Sequence, residues 1–143
     1  MIDKIDGTSR RSLTDPAIDP FVLAVGAANL TQTGLLSCGN VAPFSSRGSA
    51  ARSVDVVAPG VSLESLRDPG STIDTHHPGA VVNTRFFRGS GTSQAAAVTS
   101  GAVALLLQAR PNLGPDQVKA LLKSTATPLA LLDSNAEGAG LLE

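Results

Sequence analysis

Between Ala95 and Leu107 the chain carries no charged residue, and Thr99 and Ser100 are its only polar ones. Small residues come early (Ala95, Ala96, Ala97, Gly101, Ala102) and large ones late (Leu105, Leu106, Leu107). A helix running from this stretch to about Ala109 is apolar on every side, the pattern of a buried helix. It is shorter than the roughly 18 apolar residues that suggest a membrane span. The fold must therefore cover it with a sheet on one side and other layers elsewhere.

A glycine-bearing turn, Arg88-Gly89-Ser90-Gly91, leads into that helix, and Ser93 follows directly. A hydroxyl at a helix start lies beside unsatisfied backbone N–H groups and the positive end of the helix dipole. A negative oxygen developing on a substrate there is stabilised by those donors. Glycines before it let the backbone approach a ligand closely. The same position suits an ordinary N-cap serine or threonine, so spacing alone leaves two readings open.

The 143 residues amount to one domain at most, with 42% apolar and 16% charged residues, a globular balance. A net charge of −1 argues against a nucleic-acid or anionic-membrane partner. The absence of Trp and Tyr leaves no aromatic platform for stacking bases. The lone Cys38 cannot form an internal disulfide, and Ser37-Cys38-Gly39 has no neighbouring base, which makes it a bystander. Met1 to Ile5 lacks the basic and apolar regions of a signal peptide, so the product as written is expected in the cytoplasm.

Taken in order, residues 1–20 are polar and turn-rich, broken by Pro16 and Pro20. Phe21 to Ala27 reads as a buried strand, and Leu30 to Gly39 as a loop or hairpin. Val41 to Ser46 and Val54 to Ala58 read as short strands, the second closed by Pro59-Gly60. Ser62 to Gly79 reads as a polar excursion with turns at Pro69-Gly70 and Pro78-Gly79. Val81 to Phe87 is a further strand candidate that delivers the chain to the serine turn.

The second helix is better marked. Gly114-Pro115-Asp116-Gln117 places Pro at the first helical position and Gln where a capping box wants it. Val118, Leu121, Leu122 and Thr125 recur at helical spacing, and Pro128 ends the segment. The tail from Leu129 to Glu143 is assigned little structure.

Several blocks, in one order, resemble the subtilisin-like serine proteases. They are Asp15-Pro16-Ala17 with Val22 to Ala27, Phe44-Ser45-Ser46-Arg47-Gly48, and Asp55-Val56-Val57-Ala58-Pro59-Gly60. Gly91-Thr92-Ser93 with its apolar helix follows, then Ala109 to Asn112, Gln117 to Leu122, and Ser124-Thr125-Ala126. The resemblance implies an α/β fold, the C-terminal part of a subtilisin-like parallel sheet, with a buried central helix starting at the nucleophile. It implies peptide hydrolysis through an acyl-enzyme on Ser93, with Gly91 and Thr92 in the oxyanion turn and the Ser93 N–H as one oxyanion donor. The partial catalytic domain would span 15–127, with a connector at 1–14 and a tail at 128–143.

Departures from the family pattern shape the expectation. Such enzymes usually carry Pro and His a few residues after the serine, where this chain has Ala97 and Val98. The family's aspartate block and His-Gly-Thr block precede everything found here. The stretch matching its asparagine turn reads Lys4-Ile5-Asp6-Gly7, with Ile5 where the asparagine belongs. The chain is thus expected to be inactive alone, or to be a non-catalytic module that complements a separate N-terminal half or self-associates. The family is mostly exported.

Other candidates have plainer readings. His76 and His77 are the only histidines, in a stretch ended by Pro78, and read as a surface loop rather than as a base. Asp55 and Asp74 read as solvated charges, and nothing marks Asn29 or Asn83 as oxyanion donors. Arg47, Arg85 and Arg88 read as rim charges near the serine turn. Three acids between Glu64 and Asp74 are too sparse for a calcium site, and no metal or cofactor is expected.

Overall fold

The computed structural model describes residues 12–30, 40–129 and 134–142. Residues 31–39, with Cys38, and the Ile5-Asp6-Gly7 stretch lie outside the described residues. Strand β1 (Val25–Asn29) is the middle of a three-stranded sheet in the order β2-β1-β3. It pairs antiparallel with β2 (Asn40–Val41) and parallel with β3 (Val56–Pro59), Ala27 standing opposite Ala58. A separate antiparallel pair joins β4 (Leu63–Leu66) to β5 (Phe86–Gly89). The helices are α1 (Thr72–His76), α2 (Thr92–Ala109), α3 (Pro115–Thr125) and α4 (Ser134–Glu137).

The period-2 alternation of β1 and β3 splits their side chains between two cores. On one face, Ala27, Ala42 and Ala58 cluster with Ala95 of α2. Alanines at the centre of this contact let the helix backbone come close to the sheet, with Val25, Phe44, Val61 and Leu142 packed around them. On the other face, Ala28, Val41, Val54 and Val57 cluster with Leu129, Ala136 and Leu141. The sheet is therefore a middle layer, with α2 above and the C-terminal segment below.

That lower layer corrects the reading of the tail. Leu141 is 1% exposed and bridges both Val57 and Thr127. The Glu137 carboxylate accepts the Leu129 amide at 3.1 Å. Gly140 holds a φ of 124° with its backbone pressed against Thr127, so close that a Cβ would have no room. Pairs of leucines set among glycines carry no periodicity, so the packing was illegible until the sheet supplied a partner.

Four expectations between Phe21 and Phe87 shift as well: the strand expected over Val41 to Ser46 shrinks to Asn40–Val41, because the chain turns there, the Ser45 amide donating to the Ala42 carbonyl at 2.9 Å. Phe21 is 85% exposed, and β1 begins only at Val25. The polar excursion holds β4 and α1, the latter capped by the Ser71 side chain accepting from the Asp74 amide. Val81 to Phe87 does not run straight: Val81 bridges Phe87 across a turn, and Asn83 Oδ1 accepts the Arg85 and Phe86 amides. Asn83 has an ordinary turn role there.

Helix α2 has the expected span, but not the expected burial. Only Ala95 and Thr99 are buried, and Leu105 is 69% exposed. Among the described residues, β1 and β3 meet one face of the helix, and a sheet can cover only one side. Helix α3 follows its pattern at Val118 and Leu122, which are buried, while Leu121 is half-buried and Thr125 at the last turn is exposed; the Gly114 amide donates to Gln117 Oε1 at 2.9 Å.

Candidate active site at the start of α2

The serine turn is fixed from beneath by β3. Gly60 follows that strand, and its carbonyl accepts the Gly91 amide at 2.8 Å. A Cβ on Gly60 would stand 2.6 Å from Ala27 Cβ and 2.9 Å from the Gly91 carbonyl oxygen. Only glycine permits this approach, which explains why the turn's seat reads Ala58-Pro59-Gly60. Gly91 is the N-cap of α2, and no side chain caps that end. A Cβ on Gly91 would lie 2.5 Å from Gln94 Oε1, so the Gln94 side chain packs against the bare face of the turn and would have to swing aside for a larger residue.

Ser93 is exposed in the first turn of α2. Among the described residues, no side chain hydrogen-bonds its hydroxyl. Thr92 and Ser93 are helical rather than capping, so the plain N-cap reading does not hold for Ser93. Its amide is among the first of the helix, which have no intrahelical acceptor. The site also lies past the C-terminal end of parallel strand β3, where open α/β sheets characteristically bind ligands.

His76 and His77 come near the turn but not to the serine. They line a cleft of about 550 Å³ with Ser62 and Ser90, and the Ser90 hydroxyl accepts the Ser62 amide at 2.8 Å. His76 ends α1 rather than lying in a loop, and its Nδ1 donates to the Thr72 carbonyl at 2.7 Å.

Both aspartates read as solvated charges are in fact buried and paired. Asp74 accepts Arg67 through two bonds, at 2.6 and 2.9 Å, and the Gly70 amide at 2.9 Å. The Arg67 guanidinium, then the Gly70 N–H, holds its carboxyl below the usual carboxylate range.

Asp55 is 1% exposed at the head of β3, at the opposite end of the strand from Gly60. It accepts Arg52 at 3.0 Å, Lys119 at 3.1 Å, Lys123 at 3.2 Å and the Ala24 amide at 2.9 Å. Burial alone would raise its pKa; Arg52, the Ala24 N–H, Lys119 and Lys123 outweigh that and lower it to about 2. Asp55 thus anchors α3 and stands away from the serine. The clue was an acid set among Val54, Val56 and Val57, but two of its partners lie on a helix far along the chain.

The remaining charges are ordinary. Arg88 pairs with Glu64 at 2.6 Å across β4 and β5, both partners about half exposed, and Arg85 lies over the Phe86 ring. Asn29 ends β1 opposite Asn40. Among the described residues no group of three His, Cys, Asp or Glu side chains could hold a metal, and no helix is long and apolar enough to cross a membrane.

A serine presented at a helix start beyond a parallel strand thus stands on a mixed α/β fold. The chain belongs to the subtilase family, whose model matches residues 3–140, a family of serine proteases acting on peptides and proteins. It is 38% identical over 137 residues to the serine protease AprX of Bacillus subtilis (strain 168), covering 94% of this chain and 31% of AprX. Subtilisin amylosacchariticus of Bacillus subtilis subsp. amylosacchariticus is 37% identical over 139 residues, 96% of this chain and 30% of the relative. Fervidolysin from Fervidobacterium pennivorans, a keratinolytic enzyme, superposes with a TM-score of 0.71 at 33% identity over 90% of this chain and 19% of its own. The chain thus spans less than a third of these relatives.

Proposed function

We propose that Ser93 is the nucleophile of a subtilisin-like serine endopeptidase site whose base is supplied from outside this chain. The observation that carries the reading is the exposed Ser93 hydroxyl in the first turn of α2, on a glycine turn held by Gly60. Ser93 Oγ attacks the scissile carbonyl carbon while its proton passes to the external base. The resulting oxyanion meets the Ser93 amide, with Gly91 and Thr92 shaping the turn. The base then protonates the leaving amine, and water hydrolyses the acyl ester.

Both histidines of the chain line the neighbouring cleft, and the Asp55 carboxylate is committed to three cations at the far end of β3. The isolated chain is therefore expected to be inactive, because a serine without its base retains only residual catalysis. A second reading makes the chain a module that complements a separate half carrying the aspartate and His-Gly-Thr blocks. It is favoured by the apolar surface of α2 that the sheet leaves uncovered.

A fluorophosphonate probe tests both readings. The purified chain should show no labelling at Ser93, and mixing it with a polypeptide bearing the two missing blocks should produce labelling that Ser93→Ala abolishes. Labelling of the isolated chain would reveal an internal base. Labelling of the mixture that survives Ser93→Ala would remove Ser93 from the chemistry.

A further inference from the structure

We propose that the cleft beside the serine turn selects an acidic side chain of the peptide substrate. This rests on Ser93 being the nucleophile, since it is Ser93 that makes the cleft a neighbour of the reacting bond. The cleft holds about 550 Å³ and is lined by Ser62, His76, His77, Pro78, Arg88 and Ser90 among others. That volume lies within the range of roughly 300–1,000 Å³ typical of ligand sites. Ser90, three residues before Ser93 in the chain, lines the cleft, which puts it beside the serine turn.

The donor set of the cleft fits an anion. His76, His77, Arg88, Ser62 and Ser90 line it, and no carboxylate does. The nearest opposing charge is Glu64, which accepts only Nη2 of Arg88. Arg presents five N–H donors in a fixed fork, so the others remain available to an entering carboxylate.

The cleft wall is also held in place. Asp74, bound by Arg67 and by the Gly70 amide, fixes the start of α1, the helix that ends at His76. On the opposite wall, Ser90 Oγ accepts the Ser62 amide, which ties the serine turn to the entry of β4. Apolar Pro78 gives the charged end of a short side chain an apolar floor for its methylene.

Blocked tetrapeptides, acetylated and amidated so that only one side chain carries charge, test this by NMR titration of the intact chain. They differ at one position, Asp, Asn or Lys, and the readout is the ring-proton shifts of His76 and His77. The Asp peptide should move those signals and bind roughly fivefold to tenfold more tightly than the Asn or Lys peptide. Arg88→Ala should erase that preference, with the amide signals of α2 and α3 unchanged. Glu64→Gln should strengthen Asp binding a few-fold by releasing Arg88.

Equal binding of the Asp and Lys peptides, shifts confined to other residues, or no shift with any peptide would overturn the proposal. Probe labelling of Ser93 reports the nucleophile independently. In the complemented mixture, labelling without acidic preference sinks only the cleft, and acidic preference without labelling sinks only the nucleophile.

Discussion

Helices α2 and α3 lie on the same domain and differ in how their composition relates to their surroundings. Helix α3 is amphipathic: Val118 and Leu122 are buried, while Asp116 and Lys123 sit at the ends that suit its dipole. Its side chains and neighbours agree. Helix α2 is apolar around its whole circumference, yet the described residues bury only Ala95 and Thr99. Its N-terminal turn is anchored through Gly91 and Gly60, and the uncovered length beyond leaves Leu105 and Val98 open to solvent. The contrast teaches that α3 is complete within this chain, whereas α2 is built for more cover than the sheet gives it.

The sharpest test of this contrast removes the anchor of α3. Asp55→Ala strands Arg52, Lys119 and Lys123 without their carboxylate. Removing one partner of a buried ion pair costs about 3–5 kcal/mol, and the partly exposed lysines place this site toward the lower end. Urea unfolding should read that loss, and an unchanged midpoint would mean α3 is held by its apolar face alone.

The same carboxyl has a pH signature. Its folded pKa of about 2 lies below the ordinary 3.8, so its contribution is present in full above the ordinary value and fades as pH falls toward 2. The stability gap between the native chain and Asp55→Asn should hold at neutral pH and close across that acid window.

Leu122→Ala comes next, with an expected loss of about 2–4 kcal/mol from a buried leucine. Gly60→Ala should follow at about 1–3 kcal/mol, because the new methyl collides with Ala27 and the Gly91 carbonyl. It would also displace the serine turn, so in a complemented mixture it should slow probe labelling more than Leu122→Ala does. The smallest effect is expected on the open face of α2: Leu105→Lys should change stability by less than about 0.5 kcal/mol. Sedimentation should nevertheless show it weakening association with the complementing half. A large stability loss there would break the comparison, since Leu105 would then be packed.

Much of this architecture was legible in residue order. The span of α2, the capped start of α3 and the strand before Pro59-Gly60 all follow from local pattern, because caps and periodicity act over one or two turns. Two of the sites that misled have distant partners: Asp55 is held by Lys119 and Lys123, and the tail looks unstructured until Leu141 meets Val57. Asp74 is bound from nearby, by Arg67 and the Gly70 amide, but only the turn between them brings those donors onto its carboxylate. His76 and His77 likewise acquire a setting only when β4 and β5 bring Ser62, Arg88 and Ser90 around them.

By itself, then, the sequence determined a charge-free helix behind a glycine turn and a serine at its mouth, since those features depend only on adjacent residues. Tertiary structure alone decided which face of that helix is covered, which acids are buried, and that the Asp55 carboxylate serves α3 rather than Ser93. The physical reason is that burial and ion pairing belong to residues brought together by folding, and a sheet supplies one side of cover, whatever the composition of the helix resting on it.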